Sequence, residues 1–138
     1  MTVYNDILIV TNLLKRSADL AGMDIRTAFA GVRHDMPIEK TTVIVGPESF
    51  SMTPKLPDEQ QYIGKDNDNV EIKIRIRIYA PKNEKGENLA RVFEKVANII
   101  RRGNVFATEI TCGKLEFSTA LAAVCLPCTV TLSFLRSL

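Results

Sequence analysis

The chain has 138 residues and a mass of 15.4 kDa, which leaves room for one domain burying about 68–70% of its unfolded surface. Hydrophobic residues at 46%, charged residues at 25% and a mean hydropathy of +0.02 exclude a disordered, collagen-like or low-complexity chain. Lys and Arg total 18 against 16 Asp and Glu, a formal charge of +2 that singles out neither nucleic acid nor an anionic membrane as partner.

The apolar run Asp6-Ile7-Leu8-Ile9-Val10 has no basic segment before it, and Lys15-Arg16 follow it, the reverse of a secretory signal. No window of about eighteen uninterrupted apolar residues is present, so no membrane helix is expected and the chain reads as made inside the cell. Cys112, Cys125 and Cys128 form an odd set near the C-terminus, the pattern of reduced thiols rather than a disulfide framework.

Along the chain, Ile7, Val10, Leu14, Ala18 and Ala21 recur at three- and four-residue spacing and predict a helix over Tyr4 to Ala21, stopped by Gly22. Two short strands follow, Arg26 to Arg33 and Thr41 to Val45, with Asp35, Pro37 and Glu39-Lys40 in the turn between them and Gly46-Pro47 ending the second. The stretch from Glu48 to Asn69 holds Pro54, Pro57 and Gly64 with no sustained period, and reads as a long loop. Structureless loops of this length are uncommon in compact domains and tend to serve function.

The strongest local pattern is Val70, Ile72, Ile74, Ile76 and Ile78 alternating with Glu71, Lys73, Arg75, Arg77 and Tyr79. Its period of two makes Val70 to Tyr79 a strand of roughly 33 Å, against a radius of gyration of roughly 14 Å, so it must cross the whole sheet or project beyond it. Leu89, Val92, Phe93, Val96, Ile99 and Ile100 place a second helix over Glu87 to Arg102, with Glu84 and Glu87 near its start, Arg101-Arg102 in its last turn and Gly103 behind it. Three more strands are expected at Val105 to Thr111, Leu115 to Cys125 and Thr129 to Leu135, with turns at Cys112-Gly113-Lys114 and at Pro127. Ala120 to Val124 is apolar on both faces, as in a central strand or one covered by a neighbouring molecule. The expected class is α+β, one domain over residues 1–138, with a mostly antiparallel sheet of about five to six strands and two helices packed on one face.

Candidate chemistry is sparse. Cys125-Leu126-Pro127-Cys128 matches C-x-x-C, but redox pairs sit at a helix N-terminus and this one opens a strand, so it reads as two inert cysteines flanking a turn. A Cys112, Cys125, Cys128 and His34 zinc site is arithmetically possible, yet His34 lies far away in the Arg33-His34-Asp35 turn. Ser49, Ser51 and Ser118 sit in no nucleophile elbow, and no Gly-rich phosphate cradle is present. An enzyme is not expected, nor is a cofactor or a metal. The stripe Lys73, Arg75, Arg77 and Tyr79 has three readings. It is a nucleic-acid platform, a solvated or edge-guarding sheet face, or a face that meets a neighbouring subunit.

The run from Val70 to Pro81, a short linker containing Gly86, and the amphipathic Leu89 to Ile100 helix together resemble the tail terminator (tail completion) proteins of long-tailed bacteriophages and phage-tail-like bacteriocins. In that family an N-terminal helix, a strand pair, a long loop, an extended strand, a second helix and C-terminal strands follow one another. The resemblance covers nearly the whole chain as a pattern of elements, without a diagnostic residue motif. It implies a virion or tail-like particle component, assembled in the bacterial cytoplasm without catalysis or cofactor. Such a protein forms a homo-oligomeric ring, usually a hexamer, at the head-proximal end of the tail. Its implied partners are the tail tube and sheath proteins and the head connector or collar, with DNA only as passing cargo. Carried onto this sequence, Lys73, Arg75, Arg77 and Tyr79 would face a subunit interface or the lumen, and Phe50, Met52, Lys55, Gln60 and Tyr62 would lie in a partner-binding loop. Other ring-forming virion components, such as a head-tail connector, sheath initiator or baseplate protein, share these traits, and a small nucleic-acid-binding module is the rival from another class.

Overall fold

The computed structural model describes residues 3–27, 38–53, 68–82, 86–103, 105–119 and 121–136. In chain order these form α1 (Val3–Arg16), a 3₁₀ turn (Ala18–Leu20), β1 (Asp24–Thr27), β2 (Thr42–Thr53), β3 (Asp68–Pro81), α2 (Gly86–Arg102), β4 (Ala107–Cys112), β5 (Glu116–Ser118) and β6 (Ala123–Arg136). The sheet has six strands in the order β1-β2-β3-β6-β4, with β5 also paired to β6. The class is α+β, as the sequence pattern predicts, and both helices lie on one face.

The alternation of β3 decides which face that is. Val70, Ile72, Ile74, Ile76 and Ile78 are fully buried and join Ile7, Val10 and Leu14 of α1 with Leu89, Val96 and Ile100 of α2 in the main core. Each such side chain contributes about 1.5–3 kcal/mol when fully buried. α1 lies over β1 and β2, α2 over β3, β6 and β4, and the helices touch each other. Gly103 packs close to Leu13 at this contact, where an added Cβ would stand 2.5 Å from Leu13 Cδ1 and shift that side chain.

Helix α1 ends earlier than its apolar spacing predicts. The chain tightens into the 3₁₀ turn, where Ser17 Oγ accepts from Asp19 N at 3.2 Å. Leu20 is buried in place of Ala18 and Ala21, which are exposed. Gly22 follows with φ of +84°, the left-handed stop that its position predicts.

The strand pairings depart from the predicted hairpins in three places. β1 runs parallel to β2, pairing Asp24–Thr27 with Thr42–Val45, so the two strands are not joined as a hairpin; 28–37 lie outside the described residues. β2 does not stop at Gly46-Pro47 but continues to Thr53, with a bulge between Pro47 and Ser49. Among the described residues β1 borders β2 only as far as Val45, so no described strand on that side needs the N–H that Pro47 lacks. Glu48 to Thr53 is therefore strand rather than loop, and 54–67, with Lys55, Gln60 and Tyr62, lie outside the described residues.

The third departure is β6. The predicted turn at Pro127 is absent, and Ala123–Arg136 forms one continuous strand paired with all of β3, from Asp68↔Arg136 to Pro81↔Ala123. The Pro127 carbonyl accepts from Gly113 N at 2.8 Å, so its backbone polar groups face the gap between β4 and β5, where no strand needs its missing N–H. Three residues, Gly113 to Leu115, there oppose Leu126 and Pro127, a bulge in an interrupted edge strand.

This geometry separates β3 into two energetic halves. Ile74→Ala leaves a cavity among fully buried neighbours and is expected to cost about 2–5 kcal/mol. Lys73→Ala, one residue away on the exposed face, should stay within about 0.5 kcal/mol of wild type. Urea midpoints measured on the two variants check both values.

Candidate functional site

The face of the sheet opposite the helices is built from the other half of each alternation. Along β3 it carries Asn69, Glu71, Lys73 and Arg75, all exposed, and then Arg77 and Tyr79. On β2 the partners of this row are Thr53, Ser51, Ser49 and Gly46, and on β6 Ser133, Thr131 and Thr129 oppose Glu71, Lys73 and Arg75. Lys73 is thus flanked by hydroxyl side chains on both sides, and Arg75 by Gly46 and Thr129. Among the described residues neither Lys73 nor Arg75 has an ion-pair partner; the ion pair of Arg26 with Asp24 lies on β1.

At the opposite end of the same face the polar surface closes. Ile44, Tyr79, Leu121, Ala123 and Cys125 form a second, smaller core with Ile38 packed against it. The segment entering β2 is tied over it by Ile38 N donating to Leu121 O at 2.9 Å. Ala122 completes the covering turn at φ of 49°, a left-handed conformation uncommon for alanine. Burial pushes the Tyr79 hydroxyl and the Cys125 thiol above their ordinary ranges. The hydrogen bond to Tyr79 raises Arg77 in turn. The predicted stripe is consequently divided: Lys73 and Arg75 are open to solvent, whereas Arg77 and Tyr79 belong to the wall of this small core.

β3 is central, bordered by β2 and β6 along its length, so its charges do not guard an edge. The projecting strand is β2, whose residues Pro47 to Thr53 are exposed while still paired to β3. Phe50 and Met52 lie on the helix-side face, opposite Ile72 and Val70, yet are 44% and 42% exposed. Periodicity alone conceals this segment, because Gly46-Pro47 interrupts the pattern; the Phe50-Ser51-Met52-Thr53 alternation is the signal that would have found it.

The far edge carries its own apolar groups. Leu115 and Phe117 are 51% and 58% exposed, and Phe106, held at φ of 63°, is 63% exposed. A cavity of about 390 Å³ opens between the end of α2 and β4, lined by Ile100, Val105, Phe106, Ala107 and Ile110 together with Arg101, Thr108 and Glu109. It holds no convergent set of acid, base and nucleophile.

The cysteines fall on different faces. Cys128 pairs with Ile76 and Cys112 on the helix side, whereas Cys125 pairs with Tyr79 on the other, so the C-x-x-C thiols are separated by the thickness of the sheet and cannot share a metal or form a disulfide as placed. Burial pushes the Cys128 thiol up to about 12. No group of three or more metal-ligating side chains occurs among the described residues, and His34 lies outside them. No helix is long and apolar enough to cross a membrane among the described residues. In sequence comparisons no protein-family model and no curated protein matches the chain.

Two measurements follow from the thiols. Cys112 is exposed and Cys125 and Cys128 are buried. A maleimide should label Cys112 alone in the folded protein and all three after denaturation, counted by mass spectrometry. Because Cys128 keeps its proton up to about 12 when folded but ionises near 9.0 when unfolded, the stability it confers is fully present below pH 9 and is lost as pH rises toward 12. The urea midpoint should be flat near neutral pH and fall above 9, and Cys128→Ala should flatten the fall.

Proposed function

We propose that this chain is a ring-forming tail terminator of a phage tail or a phage-tail-like particle, closing the tube and offering its outer surface to a connector or collar. The observation that carries the reading is β2, whose residues Pro47 to Thr53 stand exposed beyond the reach of the helices with apolar Phe50 and Met52 among them. An exposed strand end whose last five residues carry no charge and include two half-exposed apolar side chains is costly in a lone chain and ordinary in a subunit that meets a copy of itself.

Two further features support it. Among the described residues an N-terminal helix, strands, an extended central strand, a second helix and C-terminal strands follow one another, an order consistent with the resemblance. The described surface also offers a broad hydroxyl-rich sheet face rather than a cleft with converging catalytic groups.

The competing reading is a nucleic-acid module, favoured by exposed Lys73 and Arg75 on a flat face flanked by Ser and Thr. It predicts monomeric binding whose affinity falls steeply with salt, and Lys73→Ala with Arg75→Ala reducing the logarithmic slope by about 0.9 for each duplex DNA phosphate that is no longer neutralised. For the terminator, light scattering should give a closed oligomer, alone or on tubes, and negative-stain images should show it on one end of tail tubes and stop their growth. A strict monomer that never associates with tubes would end the proposal.

A further inference from the structure

Among the described residues the two edges of the sheet are unpaired at a shared level. Following the ladders across, Phe50 stands level with Ile72, Leu132 and Ala107, and Pro47 stands level with Ile74, Val130 and Ile110. β4 is therefore level with Val45–Phe50, so Ser49 and Phe50 stand level with its first residues, Ala107–Glu109, and Ser51 and Met52 reach past its start. β1 covers only Thr42–Val45 among the described residues, leaving the edge of β2 beyond it without a described neighbour.

Chemistry matches along with height. Ser49 to Thr53 contains no charge and no proline, so the protective bulge, Pro47 and Glu48 stop where this segment begins. On its helix side it presents Phe50 and Met52, the two large apolar groups left half-exposed there. On the helix side of β4 lie Ala107, Ile110 and Cys112, beside the cavity of about 390 Å³ lined in part by Ile100 and Val105. One edge thus carries protruding apolar side chains, and the other a small residue beside a recess whose wall mixes Ile100, Val105 and Ile110 with Arg101, Thr108 and Glu109.

Direction also agrees. β2, β3, β6 and β4 alternate along the sheet, so β4 runs antiparallel to β2. A second copy set down in the same orientation brings its β2 antiparallel to the first copy's β4 and continues the ladder with the helices on the same side. Contact between two different edges is heterologous, and rotation without rise closes it into a ring only if those edges are level.

We propose that Ser49–Met52 of one copy lies antiparallel along Val105–Glu109 of the next, with Phe50 and Met52 entering the recess between β4 and the end of α2. This rests on the ring reading above and names the subunit contact it requires.

The test uses the full chain in a Cys112→Ser background at concentrations, or on tubes, where wild type assembles. One variant carries Phe50→Cys and another Ala107→Cys, and a short bis-maleimide bridges thiols across the contact. Both substitutions lie near the surface, and circular dichroism verifies the fold of each. Mixing the two is expected to give cross-linked dimers that neither variant gives alone, and Phe50→Lys with Met52→Lys is expected to shift the assembly to monomer mass. Cross-links within either variant alone but none on mixing would overturn the contact, as would assemblies unaffected by the lysine pair. Rings that cap tubes without mixed cross-links overturn this contact and leave the terminator reading standing. Mixed cross-links in a chain that never caps tubes support the contact and remove that reading. A wild-type chain that stays monomeric both in solution and with tubes overturns both.

Discussion

The structure depends on burial of one side of a single strand. Val70, Ile72, Ile74, Ile76 and Ile78 place a branched apolar side chain at every second position of β3, and all of them are removed from water. No single layer achieves this. β2 and β6 must pair along both edges to satisfy the backbone of β3, and α1 with α2 must cover the face those strands form. Because a shift of one residue would exchange isoleucines for Glu71, Lys73, Arg75 and Arg77, the same alternation that drives burial also fixes the register.

That constraint leaves the opposite face polar by default. With the apolar half of β3 committed to the helices, its charges emerge on the other side among the hydroxyls of β2 and β6. Only near the Tyr79 end does a second apolar group, Ile44 with Leu121, Ala123 and Cys125, cover this surface. The molecule therefore has a helix-covered side, a side that is open over much of its length, and two unlike edges. Its distinctive chemistry lies at the edges, where half-exposed Phe50 and Met52 stand on one and a recess opens beside β4 on the other. An assembly role draws on such features, since the area that stabilises an interface is area that a lone chain leaves wet.

The cysteines illustrate how strand context overrides a motif. Spacing alone allows Cys125 and Cys128 to meet, as they do where such pairs begin a helix. In a continuous strand, residues three apart point to opposite faces, so Cys128 enters the main core and Cys125 the smaller one. Both thiols are raised by burial, the condition of packing groups rather than of nucleophiles.

Where an apolar period runs uninterrupted, as in β3 and α2, the sequence by itself determined the element, its buried face and the α+β class, because side-chain alternation is a local property. The charged row on β3 was legible for the same reason. Tertiary structure alone decided the rest. Gly46-Pro47 and Pro127 look like strand ends in isolation, yet both lie within strands; at Pro127 the gap between β4 and β5 removes the cost of a proline, and beside Pro47 no described residue pairs on the β1 side. The parallel pairing of β1, the division of the basic stripe between open surface and a small core, and the common level of Phe50 and Ala107 all depend on ladders joining residues far apart in the chain. No local pattern encodes which strands will stand side by side; that is settled when the isoleucine face of β3 selects its covering layers.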